Sequence, residues 1–534
     1  MNKRLFYIAF GIITSVLFFS FNEEDEALKK KYAETITAAD LKKHLSIIAS
    51  DEYEGRETGK KGQHMTAEYL AGQFRSFGIP GLPQRESSME NTPEDYYQTV
   101  PLIQLRPGGG SITSGEKKFV FGTDYYYSNQ VDDQKLQLSK FVFAGYGIQD
   151  SLYRDYAGLD VKGKAVMILA DEPHDKKGMS IISGTKEASA WTTNRRRKSS
   201  EARTRKATAL LIILPDFTAR YQQNKHFIES PSLQLDAEKK TQGSPDMPVI
   251  YISKEMADFL MKEQKKNTGK LISTISKKKK PVHFEFENTL SIDIVRTAQK
   301  LNSENVLGYL EGSDLKDELV IVTAHMDHLG KDSTIVFNGA DDDGSGTVSV
   351  LEIAQAFALA KKEGHGPRRS ILFMLVTGEE KGLLGSKWYT DHPVFPLANT
   401  VCDLNIDMIG RVDPAHQSDT NYVYVIGSDK LSTVLKTINE KNNARYTGMT
   451  LDYKYDVPNE PNNFYMRSDH YNFAKNNIPI AFFFNGTHAD YHKETDEVSK
   501  INFALMERRA RLVYYDCWDI ANRDQRLPLD VKQK

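Results

Sequence analysis

Leu319-Val320-Ile321-Val322-Thr323-Ala324 breaks off into His325-Met326-Asp327-His328, and Ile371-Leu372-Phe373-Met374-Leu375-Val376-Thr377 breaks off into Gly378-Glu379-Glu380. Short apolar runs rich in β-branched residues predict buried strands. Between the two runs lie Asn338-Gly339-Ala340-Asp341-Asp342-Asp343-Gly344-Ser345-Gly346 and an apolar-periodic helix over 347–363. Each predicted strand hands over to His, Asp or Glu at its C-terminal end. In open α/β sheets ligands bind at that edge. The stretch reads as a shelf for metal ions, the chemistry of a metal-dependent hydrolase.

Working outward, the pattern after Ser303 alternates strand and helix. Strands are predicted at 319–324, 371–377, 400–406, 422–426 and 478–484, and helices at 347–363, 430–442 and 501–522. This predicts an α/β domain over 291–525, with a mostly parallel, mixed sheet sandwiched by helices. Upstream, 27–120 reads as the N-terminal part of the same domain. Leu41, Leu45 and Ile48, then Tyr69, Leu70 and Phe74, recur at helical steps there, and the polar stretch Ser50 to Gly59 reads as a solvated connection. Residues 121–290 differ in texture. Short β-branched segments at 140–146, 165–169, 210–214 and 248–252 alternate with polar loops, and no cluster of His, Asp and Glu occurs at ligand spacing. The segment reads as an inserted, smaller, β-rich domain without catalytic residues. Its basic runs, Asn194-Arg195-Arg196-Arg197-Lys198 and Lys277 to Lys280, read as solvated loops.

Composition narrows the chemistry. The 534 residues are enough for more than one domain, and a net charge of −2 argues against nucleic acid as the partner. The two cysteines, Cys402 and Cys517, exclude a disulfide scaffold and a thiolate zinc site, leaving one disulfide open. Any metal is therefore held by carboxylates and imidazoles. Residues 1–22 open with Met1-Asn2-Lys3-Arg4, continue through an apolar run to Phe21, and precede the acidic cluster Glu23-Glu24-Asp25-Glu26. That is the pattern of a signal peptide, with an uncleaved membrane anchor as the alternative. It predicts an exported, periplasmic or secreted protein whose only membrane contact is that anchor. No later stretch is long and apolar enough to span a bilayer; 526–534 reads as a C-terminal tail.

Five acid or imidazole side chains stand where strands end: His325, Asp342, Glu380, Asp407 (in Asn405-Ile406-Asp407-Met408) and His492 (in Asp490-Tyr491-His492). Zinc takes imidazole nitrogen and carboxylate oxygen in near-tetrahedral sites. A bridging aspartate with one carboxylate and one histidine per ion would use all five in a two-zinc centre. Charge balances as well, since three carboxylates and a bridging hydroxide offset two divalent ions. Taken singly, each feature has a plainer explanation. A lone histidine such as His365 or His392 is ordinarily a surface residue. A Gly-Asp string is a turn, and a Glu-Glu pair starts a helix. Four strand ends in one domain all carrying such groups argue against coincidence.

The series His-x-Asp, Gly-Ala-Asp-Asp-Asp-Gly-Ser-Gly, Gly-Glu-Glu, Asp-Met and Tyr-His, in this order, resembles the M28 family of co-catalytic zinc peptidases, which includes bacterial leucyl-type aminopeptidases. The resemblance is strong over roughly 300–525 and extends more weakly to the Ser50–Gly59 loop and to the inserted segment. It implies that His325 and Asp407 bind one of two zinc ions, that Glu380 and His492 bind the other, and that Asp342 bridges them, with a cis peptide joining it to Asp343. It further implies that Asp327 orients His325, that Glu379 acts as general base and then acid toward a water held between the ions, and that Tyr491 donates to the oxyanion. The implied reaction is removal of the N-terminal residue of a peptide. Carboxypeptidase-like and glutaminyl-cyclase-like activities of the same fold, and a non-catalytic receptor on this scaffold, are the alternatives. The inserted segment resembles a protease-associated domain through Phe143-Ala144-Gly145-Tyr146-Gly147, Tyr156-Ala157-Gly158-Leu159-Asp160 and Lys162-Gly163-Lys164.

Overall fold

The computed structural model describes residues 25–82, 96–128, 131–194, 196–236 and 246–531. The expected leader at 1–22 and the last three residues of the tail lie outside them. Among the described residues no helix is long and apolar enough to cross a membrane. The chain divides into two compact units, 1–102 with 301–534, and 103–300.

Side-chain alternation along the central strands dictates the layering of the first unit. Its sheet is built from β1 (Tyr97–Arg106), β2 (Thr297–Leu310), β3 (Leu315–His325), β4 (Arg369–Val376), β5 (Thr400–Ile406), β6 (Tyr422–Ile426), β7 (Thr450–Asp452) and β8 (Ile480–Phe484). They lie in the order β7-β6-β8-β5-β3-β4-β2-β1. Strand β1 leads the chain out of this unit and β2 leads it back. Strands β3, β4, β5 and β8 run parallel to their partners in the middle, while β2 and β6 pair antiparallel with β4 and β8. The mostly parallel, mixed α/β sheet expected from the sequence is thereby present.

Successive side chains of a strand point to opposite faces. Val320, Val322 and Ala324 of β3 and Ile371, Phe373 and Leu375 of β4 therefore join one apolar layer. Leu319 and Ile321, with Leu372, Met374 and Val376, join the other. Both faces need cover, which is why these strands read as continuous apolar runs. The first face is covered by α1 (Ala38–Ile48), α2 (Lys61–Phe77), α3 (Gly346–Lys362) and the long C-terminal helix Phe503–Asn522. Helix α1 starts where the Thr37 hydroxyl accepts from the Asp40 amide, and it buries Leu41, Leu45 and Ile48. Helix α2 stops at Gly78, whose φ of 77° suits a residue without a side chain. Cys402 and Cys517 are both buried as free thiols.

Two loop readings change. The Ser50–Gly59 stretch is not a solvated connection: Arg56 and Thr58 are fully buried, because their polar groups find partners far along the chain. In the second unit the basic run at 194–198 leads into a helix, Arg196–Thr204, instead of a solvated loop. Its spacing turns Lys198 and Ala202 inward. That unit carries parallel neighbours Gln134–Ala144, Ala165–Leu169, Ala209–Leu214 and Val249–Ser253, flanked by the antiparallel strand His283–Ile294. The expected insert, 121–290, lies inside this unit.

Candidate metal centre

Parallel pairing brings the C-terminal ends of β3, β4 and β5 to one edge. His325 is the last residue of β3 and pairs with Val376, the last of β4. Glu379 and Glu380 follow one short turn later, and Asp407 directly follows β5. Asp342 sits in the tight turn entering α3, and Tyr491 and His492 sit in the loop beyond β8. All eight residues singled out in the sequence meet here.

The ligand geometry is specific. His325 Nε2 lies 3.4 Å from Asp342 Oδ1 and 3.6 Å from Asp407 Oδ1. His492 Nε2 lies 3.0 Å from Asp342 Oδ2 and 3.2 Å from Glu380 Oε2. Tetrahedral zinc with bonds of about 2.0–2.2 Å places its ligand atoms about 3.3–3.6 Å apart. Asp342 thus offers one oxygen to each of two neighbouring donor sets. Several buried donor atoms, among them His325 Nε2, Asp342 Oδ2 and Glu380 Oε1, have no hydrogen-bond partner among the described residues. Buried polar atoms rarely go unsatisfied, so imidazole and carboxylate donors left bare in this way fit a metal ion.

Sequence reasoning missed His328. It is fully buried, with Nδ1 2.9 Å from Glu380 Oε1 and 3.9 Å from Asp342 Oδ2. With Asp342 and Glu380 it forms a trio able to hold a metal ion on the same two carboxylates. His492 stands at more even distances, 3.0 and 3.2 Å, from the two carboxylates. The signal for His328 was in plain view, three positions after His325.

Electrostatics separate the adjacent glutamates. Burial pushes Glu379 well above the usual carboxylate range, and Glu380 and Asp407 add to that, while His325 opposes it. Burial and Asp342 act the same way on Glu380, but the imidazoles of His328 and His492 close beside it reverse the shift, to about 2. Burial alone would lower His492; the carboxylates of Asp342 and Glu380 close to it instead raise it to about 10. A site this rich in carboxylates attracts positive charge, and a divalent cation answers that demand.

The surrounding hydrogen bonds hold the donors in place. His325 Nδ1 is 3.0 Å from the backbone carbonyl of Asp327, nearer than the Asp327 carboxylate at 3.9 Å. That carboxylate instead accepts from the Glu379 amide (3.2 Å) and from Thr58 Oγ1 (2.6 Å). Asp327 therefore orients the histidine through its main chain and the glutamate turn through its side chain. Asp343, joined to Asp342 by a cis peptide, accepts from the amides of His325, Gly346 and Met408 at 3.1, 2.9 and 2.9 Å. A Cβ on Gly346 would come within 2.5 Å of the Asp343 carboxylate, so only glycine fits. Arg56 donates to the carbonyls of Met326, Ile48, Asn338 and Gly339 at 2.6–3.0 Å. Replacing Asp327 with Ala is expected to lower zinc affinity about 10–100-fold, measured by competition with a chelating dye.

A small cavity of about 30 Å³, room for one or two waters, lies against Asp342, Glu379, Asp407 and Tyr491. Phe464, Phe482 and Phe484 line its apolar side, and Arg467 joins the wall with an Nη2 donor 3.3 Å from Tyr491 Oη.

Comparison with known proteins bears on this centre. The profile of peptidase family M28 matches residues 305–515. The leupeptin-inactivating enzyme 1 of Streptomyces exfoliatus is 27% identical over 252 residues, 42% of this chain and 51% of that protein. A vacuolar membrane protease of Aspergillus niger is 32% identical over 155 residues, 25% of this chain and 15% of its own length. The chain spans about half or less of the length of these two relatives. An aminopeptidase from Aneurinibacillus sp. strain AM-1 shares the fold, with a TM-score of 0.52 and 17% identity, covering 95% of this chain and 98% of the other.

Proposed function

Because residues 305–515 belong to peptidase family M28, we infer that the chain is a zinc exopeptidase that removes the N-terminal residue of peptides. The observation that carries this reading is the split use of Asp342, whose two oxygens each stand near a different histidine and a different second carboxylate. The reading assigns two zinc ions, one to His325, Asp342 and Asp407, the other to His492, Asp342 and Glu380. When bound, zinc supplies Lewis acidity and acidifies a coordinated water.

The remaining roles fall to the protein. Glu379 lines the cavity without being needed as a ligand, and its raised proton affinity suits a group that takes a proton and returns it. Tyr491 Oη donates to the oxygen on which negative charge develops, and Arg467 orients that hydroxyl. The carboxylates of the site receive the substrate's free amine. Export by the leader at 1–22, and a protease-associated character for the second unit, belong to the same proposal.

The test is a metal count beside an assay with peptides bearing free or acetylated N-termini. Near two zinc per chain and cleavage only of the free peptides are expected; equal cleavage of both would overturn the aminopeptidase assignment. A second reading, carboxypeptidase action, is favoured by one observation: Arg467 offers a cation for a substrate carboxylate beside Glu379. In that case the acetylated peptides are shortened from their C-termini. Substituting acids or histidines of the second unit one at a time is expected to leave zinc content unchanged; loss of a full equivalent would place a ligand there.

A further inference from the structure

The second unit holds a cavity of about 450 Å³, within the size range of small-molecule sites. Its wall combines apolar and aromatic surface (Trp191, Ile212, Ile228 and Tyr251) with cations. Tyr251 stacks on Tyr126, with ring centroids 4.8 Å apart.

Charge is unevenly answered in this wall. Asp171 is committed to Arg220 by two hydrogen bonds, at 3.0 and 2.5 Å. Lys198 is only 6% exposed, yet its ammonium meets no carboxylate at ion-pairing distance among the described residues. It donates to two carbonyls, those of Leu169 (3.3 Å) and Asp171, and lies 5.9 Å from the centre of the Tyr146 ring. Arg196, an exposed residue at the edge of the wall, forms no ion pair among the described residues. Thr192 also lines the cavity, and its buried hydroxyl has no hydrogen-bond partner among them. The carboxylates of Asp171, Asp155 and Glu172 favour the charged ammonium without pairing with it directly, and an anion entering the cavity supplies the direct partner that it lacks.

We propose that this cavity binds a small organic carboxylate with an aromatic or branched apolar body, the carboxylate meeting Lys198, Arg196 and Thr192 and the body lying against Trp191, Ile228 and Tyr251. The ligand class covers both a free acid and the C-terminal residue of a short peptide. The inference does not depend on the peptidase reading, because Asn224→Trp alters this cavity and leaves the metal centre untouched.

Full-length protein is titrated calorimetrically with phenylacetate, with its neutral counterpart phenylacetamide, and with N-acetyl-alanyl-phenylalanine. Phenylacetate, the dipeptide or both are expected to bind at least tenfold more tightly than the amide, and whichever binds identifies the source. Lys198→Met is expected to abolish that preference. Asn224→Trp, at a half-buried position of the wall, is expected to block all three probes while circular dichroism and zinc content stay unchanged. Should Lys198→Met fail to fold, the acid–amide ratio and Asn224→Trp decide alone. Equal binding of acid and amide, no binding of either acid, or full binding to folded Asn224→Trp overturns the proposal.

Discussion

Glu379→Gln is expected to keep both zinc ions while turnover falls about 10²–10⁴-fold, the usual contribution of a general base. Glutamine preserves the shape and the backbone bond from the Glu379 amide to Asp327 but cannot accept the proton. Glu380→Gln is expected to behave differently. It exchanges an anion held low by two histidines for a neutral, poorer ligand, so the second zinc dissociates and excess zinc restores part of the rate. Metal stoichiometry and kcat measured on both variants separate the roles. Retention of both ions by Glu380→Gln together with zinc loss in Glu379→Gln would show the assignment to be reversed.

The larger effect is expected at Asp342. Its two oxygens approach His325 and His492 at 3.4 and 3.0 Å, so Asp342→Ala removes a ligand from both donor sets at once. Zinc content is expected to drop toward zero and peptidase activity to fall to background at every zinc concentration tried. Stability should respond as well. A ligand bound only by the folded state stabilises it by mass action, about 4 kcal/mol at a thousandfold excess over Kd. Adding zinc should therefore raise the melting temperature of the wild type and leave that of Asp342→Ala unmoved. A full zinc complement in this variant would remove Asp342 from the centre.

How much of this was readable in advance depended on where the information lies along the chain. The β3 and β4 runs announce buried strands, and residues at their C-terminal ends fall at one edge as soon as the sheet is parallel. His325, Glu379, Glu380 and Asp407 needed no more than that. His492 and Tyr491 lie in a loop, and their place came from the order of motifs. Arg56 and Thr58 were beyond reach. Their burial depends on Met326 and Asp327, about 270 residues away, and a short polar stretch with two glycines gives no local sign of such partners. Lys198 was misread for a related reason. A basic run suggests solvation for every member, yet a helix presents different faces, and one lysine of the run faces inward.

The buried guanidinium of Arg56 limits how far the catalytic region can be moved. Its four acceptor carbonyls come from α1, from the end of β3 and from the turn that carries Asp342. Removing it would orphan those groups, at about 1–3 kcal/mol each. A fragment restricted to 305–515 would carry all five proposed ligands yet lack this strut. Grafting or truncating the protein at the boundaries of the recognised segment would therefore yield donors without a scaffold, and a minimal transplantable unit has to begin upstream of α1.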